Sequence, residues 1–177
     1  MELYFKGTAE AWYIEGIIKP EDLLQNLDKA CQSGDRLIFG SYDTSEEAQN
    51  WLVGLGATSP TLTQGIHLNC RSYYYNRIEY PFARAFELTY SDATIESLLG
   101  LCKLPKAGGS EKDIFFDDFA AYRPSCPPLP LIDFNHATSG GALYLHESIP
   151  VDRVHALAVA TGGTATKISY PPRWGSA

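Results

Sequence analysis

The chain has 177 residues, 45% hydrophobic and 20% charged, the length and balance of one globular domain (residues 1–177) whose core needs neither metal nor disulfide. Its net charge of −7, with four histidines neutral, repels duplex nucleic acid and anionic membranes, and fits simple solubility first and a basic protein partner second. No stretch approaches the roughly 18 apolar residues of a membrane span, and no basic start with an apolar run follows Met1, so the expected location is the cytoplasm.

Leu3-Tyr4-Phe5 reads as a short strand stopped by Gly7. Lys19-Pro20-Glu21-Asp22 opens a helix, because proline is tolerated in a first turn and carboxylates meet the positive end of the dipole. Leu23, Leu24, Leu27, Ala30 and Cys31 give it an apolar face, and Gly34 ends it. Arg36 to Phe39 is a strand. Thr44-Ser45-Glu46-Glu47 is a capping box for a second helix, with Ala48, Trp51 and Leu52 inward and Gly54 and Gly56 at its close. Residues 57–65 read as a loop and 66–68 as a short strand. Arg84 to Tyr90 alternates with a strand period. Asp92 starts a third helix with Ile95, Leu98, Leu99 and Cys102 as its stripe, and Pro105 stops it.

Residues 106–112 are a polar loop, 113–122 fit helix or strand, and the prolines of 125–130 impose an extended path. Ala142 to His146 is a strand. Val154 to Ala160, Gly162-Gly163 and Thr164 to Tyr170 together read as a hairpin. The fold class expected is α+β: a single domain with a mostly antiparallel split sheet, three or more helices, N-terminal helices and a C-terminal hairpin.

The chain has no phosphate loop, no dinucleotide-binding glycine fingerprint, no zinc-protease pair and no nucleophile elbow. Cys31, Cys70, Cys102 and Cys126 are too widely spaced for a zinc knuckle, and the four histidines have no ligand spacing, so no metal is expected.

Three segments carry a resemblance: Leu3-Tyr-Phe-Lys-Gly-Thr8, Leu37-Ile-Phe-Gly-Ser-Tyr-Asp-Thr-Ser-Glu-Glu-Ala48, and Gly141-Ala-Leu-Tyr-Leu-His-Glu-Ser-Ile-Pro-Val-Asp-Arg-Val154. In order and spacing they resemble the ADP-ribosyltransferase superfamily. The resemblance implies NAD as substrate, held by Lys6, Gly7, Thr8 and Ser41. Tyr42 would support the nicotinamide, and Glu147 would stabilise positive charge developing on the ribose. Two departures stand out. Lys6 replaces the family's Arg or His and lacks the planar fork that grips a diphosphate. Ala142 fills one natural slot for the acid, and Glu147 lies five residues on, on the opposite face of a strand.

The same residues have plainer readings: Lys6 as a turn residue, Ser41 to Glu47 as a strand end with a helix cap, Glu147 as a surface charge. The run Arg71-Ser-Tyr73-Tyr74-Tyr75-Asn-Arg77 interleaves arginine and tyrosine, a composition suited to a protein contact or to half-buried core tyrosines. Two functions therefore stand open: an NAD-using transferase domain, active or decayed, and a non-catalytic acidic binding protein of the immunity or antitoxin kind that blocks a toxin.

Overall fold

The computed structural model describes residues 9–41, 46–58, 84–102, 116, 118–123, 131–135 and 142–170. In chain order these form β1 (Ala9–Glu15), α1 (Pro20–Gln25), a 3-10 turn (Leu27–Lys29), β2 (Arg36–Ser41), α2 (Glu46–Gly54), β3 (Arg84–Thr89), α3 (Asp92–Leu101), β4 (Asp118–Tyr122), β5 (Ile132–Asn135), β6 (Ala142–His146), α4 (Val151–Ala160) and β7 (Thr164–Tyr170). The strands make one seven-stranded sheet in the order β3-β2-β4-β5-β6-β1-β7, with every neighbouring pair antiparallel.

Strand alternation sorts the side chains onto two faces. Ile14, Leu37, Phe39, Leu88, Phe119, Ala121, Ile132, Phe134, Leu143 and Leu145 share one face and one apolar cluster. The same cluster takes Leu23 and Leu24 of α1, Ala48 and Leu52 of α2, Ile95, Leu98 and Leu101 of α3, and Val154, Leu157 and Ala158 of α4. All four helices therefore cover a single face. At the centre, Phe39 lies 4.9 Å from Phe119 and 5.2 Å from Phe116, ring centre to ring centre. Each such fully buried ring contributes about 1.5–3 kcal/mol relative to exposure. Across the layer α2 touches α3 through Trp51 and Gly100, α3 touches α1, and α1 touches α4.

Local signals explain most boundaries. Pro20 stands in the first turn of α1 beside Glu21 and Asp22. Ser91 caps α3: its Oγ accepts from the Thr94 amide at 3.2 Å. The strands over residues 36–39, 84–89 and 142–146 lie where the sequence puts them, as do the helices opened by Glu46 and Asp92. The helix opened by Pro20 is shorter than expected: it ends at Gln25, where the Asn26 side-chain amide donates to the Asp22 carbonyl, and Leu27–Lys29 form a 3-10 turn, so Ala30 and Cys31 lie beyond the helix and Gly34 does not end it. Residues 118–122 resolve the ambiguous stretch as strand. The short N-terminal strand at Leu3–Phe5, the cap at Thr44–Ser45, the strand at 66–68, the loop at 106–112 and the proline run lie outside the described residues.

Two further readings need correction. Residues 151–160 form helix α4, so the run 154–170 is a helix followed by a strand and not a hairpin, and β7 pairs with the distant β1. The run Val-His-Ala-Leu-Ala-Val-Ala imitates a strand alternation. Its buried members are Val154, Leu157 and Ala158, an i, i+3, i+4 stripe, and Pro150 and Asp152 were the helix-start signals. The described strands also form one continuous sheet, without a split.

Gly163, at the turn from α4 into β7, sits where backbone crosses backbone. A Cβ there would lie 2.6 Å from Ile14 Cγ2 and 2.9 Å from the Glu15 carbonyl oxygen. We expect Gly163→Ala to destabilise the protein by about 1–3 kcal/mol through overpacking. Gly54, in α2 with open space around it, should become more stable as alanine by about 0.5–1 kcal/mol. Urea denaturation of the two variants measures both signs.

Candidate functional surface

Lys6, Gly7, Thr8, Tyr42, Tyr73, Tyr74, Tyr75 and Arg77 lie outside the described residues. Ser41 and Glu147 can be placed. Ser41 ends β2 opposite Arg84. Glu147 follows the last residue of β6 and is exposed. Following the antiparallel register from β2 through β4 and β5 to β6, Ser41 is level with the start of β6, whereas Glu147 is beyond its end. Six residues of strand separate those levels, about 20 Å. The described strands hold Ser41 and Glu147 at opposite ends of the sheet and do not bring them into one cleft.

Glu147 belongs instead to the lower end of β6. There His146 Nδ1 accepts from the Ser148 amide at 3.1 Å and stands 2.8 Å from Ser148 Oγ. An acceptor at Nδ1 puts the ring proton on Nε2. Partial burial of the ring lowers the His146 pKa below its ordinary value, against the opposing pull of Glu147.

The sheet face away from the helices is buried at its middle. Asp133, 1% exposed on the central strand β5, stands opposite Ala120 on β4 and Tyr144 on β6. The ring of Tyr144 lies 5.3 Å from that of Tyr13 on β1. Burial raises the Tyr144 pKa, and Tyr13 and Asp133 add to the rise. At the far side of this face Arg36 grips Glu87 with both ends of its fork, Nε to Oε1 at 2.6 Å and Nη2 to Oε2 at 2.7 Å. Asp133 had no sequence signal, since its flanking Ile132 and Phe134 merely read as apolar.

The helix layer offers a different chemistry. α1, α2 and α3 carry Glu21, Asp22, Glu46, Glu47, Asp92 and Glu96, and none of the three contains a lysine or arginine. Glu46, Asp92 and Glu96 are exposed, Glu21 and Asp22 half-exposed. Within this layer Trp51 of α2 stays 37% exposed while its ring edge rests over Gly100 of α3, and Val53 on the same helix is 64% exposed. Sequence periodicity assigned Trp51 to the core face of α2; the observed ring spans the α2–α3 seam.

Burial disfavours the reactive thiolate at both described cysteines. Cys31 is buried and its pKa is driven up by desolvation beside Asp35, and Cys102 is pushed up to about 12 by burial and by Glu21. Among the described residues no three His, Cys, Asp or Glu side chains cluster to hold a metal ion, and no helix is long and apolar enough to cross a membrane. No protein-family model, curated protein or solved structure matches the chain.

The His146 arrangement has a pH signature. A lowered folded-state pKa means that the unfolded chain takes up a proton first as pH falls through 6.5, the ordinary histidine value. The contribution of neutral His146 is thus fully present above pH 6.5 and is lost as pH falls from there to the folded-state pKa. Urea midpoints measured from pH 8 to pH 5 should show this slope, and His146→Gln should flatten it. An unchanged slope in the variant would remove His146 as its source.

Proposed function

We propose that this chain is a non-catalytic binding protein whose helix layer docks a basic protein, as an immunity or antitoxin protein does when it blocks a toxin. One observation carries the reading: three adjacent helices bear carboxylates and, within their own residues, no lysine or arginine, and a half-exposed tryptophan lies at the α2–α3 seam. Exposed carboxylates of one sign steer a basic partner and fix its register. A tryptophan at the α2–α3 seam supplies the kind of anchor that dominates many protein interfaces once desolvated. The surrounding charges act mainly on association rate and fall off with salt.

The transferase reading asks for a cleft in which the NAD-gripping residues of the first two strands face an acid on a late strand. The distance between Ser41 and Glu147 weighs against that cleft. The two readings separate in one set of measurements. With NAD in excess, the binding reading expects no saturable change in NAD proton signals and no nicotinamide release.

Poly-lysine serves as the basic probe. The triple variant Glu21→Lys/Asp92→Lys/Glu96→Lys should lose far more poly-lysine affinity than Glu10→Lys/Glu15→Lys/Glu147→Lys. The two make the same change in net charge, the second away from α1–α3. Equal losses would make the effect one of total charge and sink the surface assignment. Nicotinamide release that disappears in Glu147→Gln would instead restore the transferase.

A further inference from the structure

The seven-stranded sheet has two edges, and they are treated differently. At one edge, β3 is covered at its middle: the Thr58 amide donates to the Glu87 carbonyl at 3.0 Å and the Glu87 amide to the Thr58 carbonyl at 2.8 Å. At the other, β7 pairs with β1 along all seven residues, and among the described residues no strand pairs with its outer side. Its sequence, Thr-Ala-Thr-Lys-Ile-Ser-Tyr, contains no proline and one charge. A central lysine ordinarily guards such an edge against pairing. Here Lys167 is ion-paired to Glu10 on β1, so the charge is matched within the chain.

We infer that the β7 edge is a self-association surface on which a second copy of this chain pairs β7 to β7 antiparallel. Three features select a copy of this chain as the occupant. First, the covered β3 edge blocks head-to-tail pairing of β7 on β3, so the pairing a copy can offer is the closed, two-fold one. Second, the charge is distributed for it. The carboxylate-only helices would repel their own copies, whereas α4, which packs beside β7, carries Asp152 and Arg153 in balance.

Third, α4 leaves Val151 51% exposed and Val159 79% exposed. A two-fold axis perpendicular to the sheet places both helix layers on the same side, so the two α4 helices flank the seam and add apolar area to the strand pairing. Placing the axis at Ile168 sets the two Ile168 residues opposite each other and Lys167 opposite Ser169. That register avoids the like-charge pair that an axis at Lys167 would create. The inference does not depend on the partner proposed for the helix layer.

Sedimentation velocity of the full chain over a concentration series tests it without any partner present. The expected result is a reversible dimer. Thr166→Lys/Ile168→Lys, which puts four like charges across the seam, should be monomeric with a native circular dichroism spectrum. Val159→Glu, at a solvent-facing site that folding does not need, should weaken the dimer at least about tenfold. If the strand variant fails to fold, Val159→Glu decides. A wild-type chain that stays monomeric throughout overturns the inference, and so does a dimer that Val159→Glu leaves unchanged.

Discussion

One buried ion pair ties the helix layer to the sheet. Asp35, 1% exposed, sits just before β2 and takes both arms of Arg123, which follows β4: Nε to Oδ1 at 3.0 Å and Nη2 to Oδ2 at 2.9 Å. The same guanidinium donates to the Ala30 carbonyl at the end of the 3-10 turn, and Asp35 Oδ2 also accepts the Gln32 amide. The Asp35 carbonyl accepts the Tyr90 amide at the end of β3, and the Tyr90 carbonyl accepts the Gly34 amide. Four chain segments thus meet on one carboxylate and its backbone. Such a pair adds little net stability, because desolvating two charges offsets their attraction. Removing Arg123, itself part-exposed, would leave the buried Asp35 carboxylate uncompensated at a cost of about 3–5 kcal/mol. Its effect is to forbid alternatives: β2 must begin at the level where β3 and β4 end, and the segment that follows α1 must enter the sheet there.

That constraint reaches the functional question. With the ends of β2 and β4 fixed, the antiparallel register passes through β5 to β6 without freedom, because a one-residue slip would turn Phe119, Phe134 and Leu143 out of the core. The level of Ser41 and the level of Glu147 are therefore consequences of core packing. A site needing both would have to be carried by segments that bridge the length of the sheet. The helix layer faces no such demand. α2 and α3 need only an inward stripe, and their outward residues are free to be acidic.

Legibility in the sequence followed the strength of local signals. α3 was readable as an element because Asp92, a 3.6-residue pattern and Pro105 agree, but its stripe lies one position off the expected one in the last turn: Leu101 is buried, whereas Leu99 and Cys102 are only partly so. β3 was readable because Arg84 to Thr89 alternates without interruption. β1 was missed: Ala-Glu-Ala-Trp-Tyr-Ile-Glu is buried on one side by the helices and flanked on both sides by strands, so its polar and apolar residues do not alternate cleanly. β5 was hidden beside prolines and is four residues long, too short for any period. In α4 the small residues Ala156, Ala158 and Ala160 mimic a strand alternation and mask the helix start that Pro150 and Asp152 signal. At the candidate surface, the charge of each helix was visible in the sequence. That α1, α2 and α3 lie side by side was not, since adjacency comes from a topology in which α1 precedes β2 yet packs between α3 and α4.

The order α2, α3, α1, α4 also gives the molecule a polarity that neither composition nor net charge expresses. The three helices with carboxylates alone lie together over the β3 side and middle of the sheet, and the charge-balanced α4 lies over the β7 end. Like charge keeps copies apart at the first region, and the occupied β3 edge denies them a strand there. At the second, charge is balanced and, among the described residues, no strand pairs with the outer side of β7. A protein built this way can keep its acidic helices for a foreign, basic surface, because contact with its own copies is directed to the opposite end. Two copies joined there would present two acidic layers on one side of a continuous sheet, a bivalent arrangement in which the second contact with a repeated basic target is intramolecular.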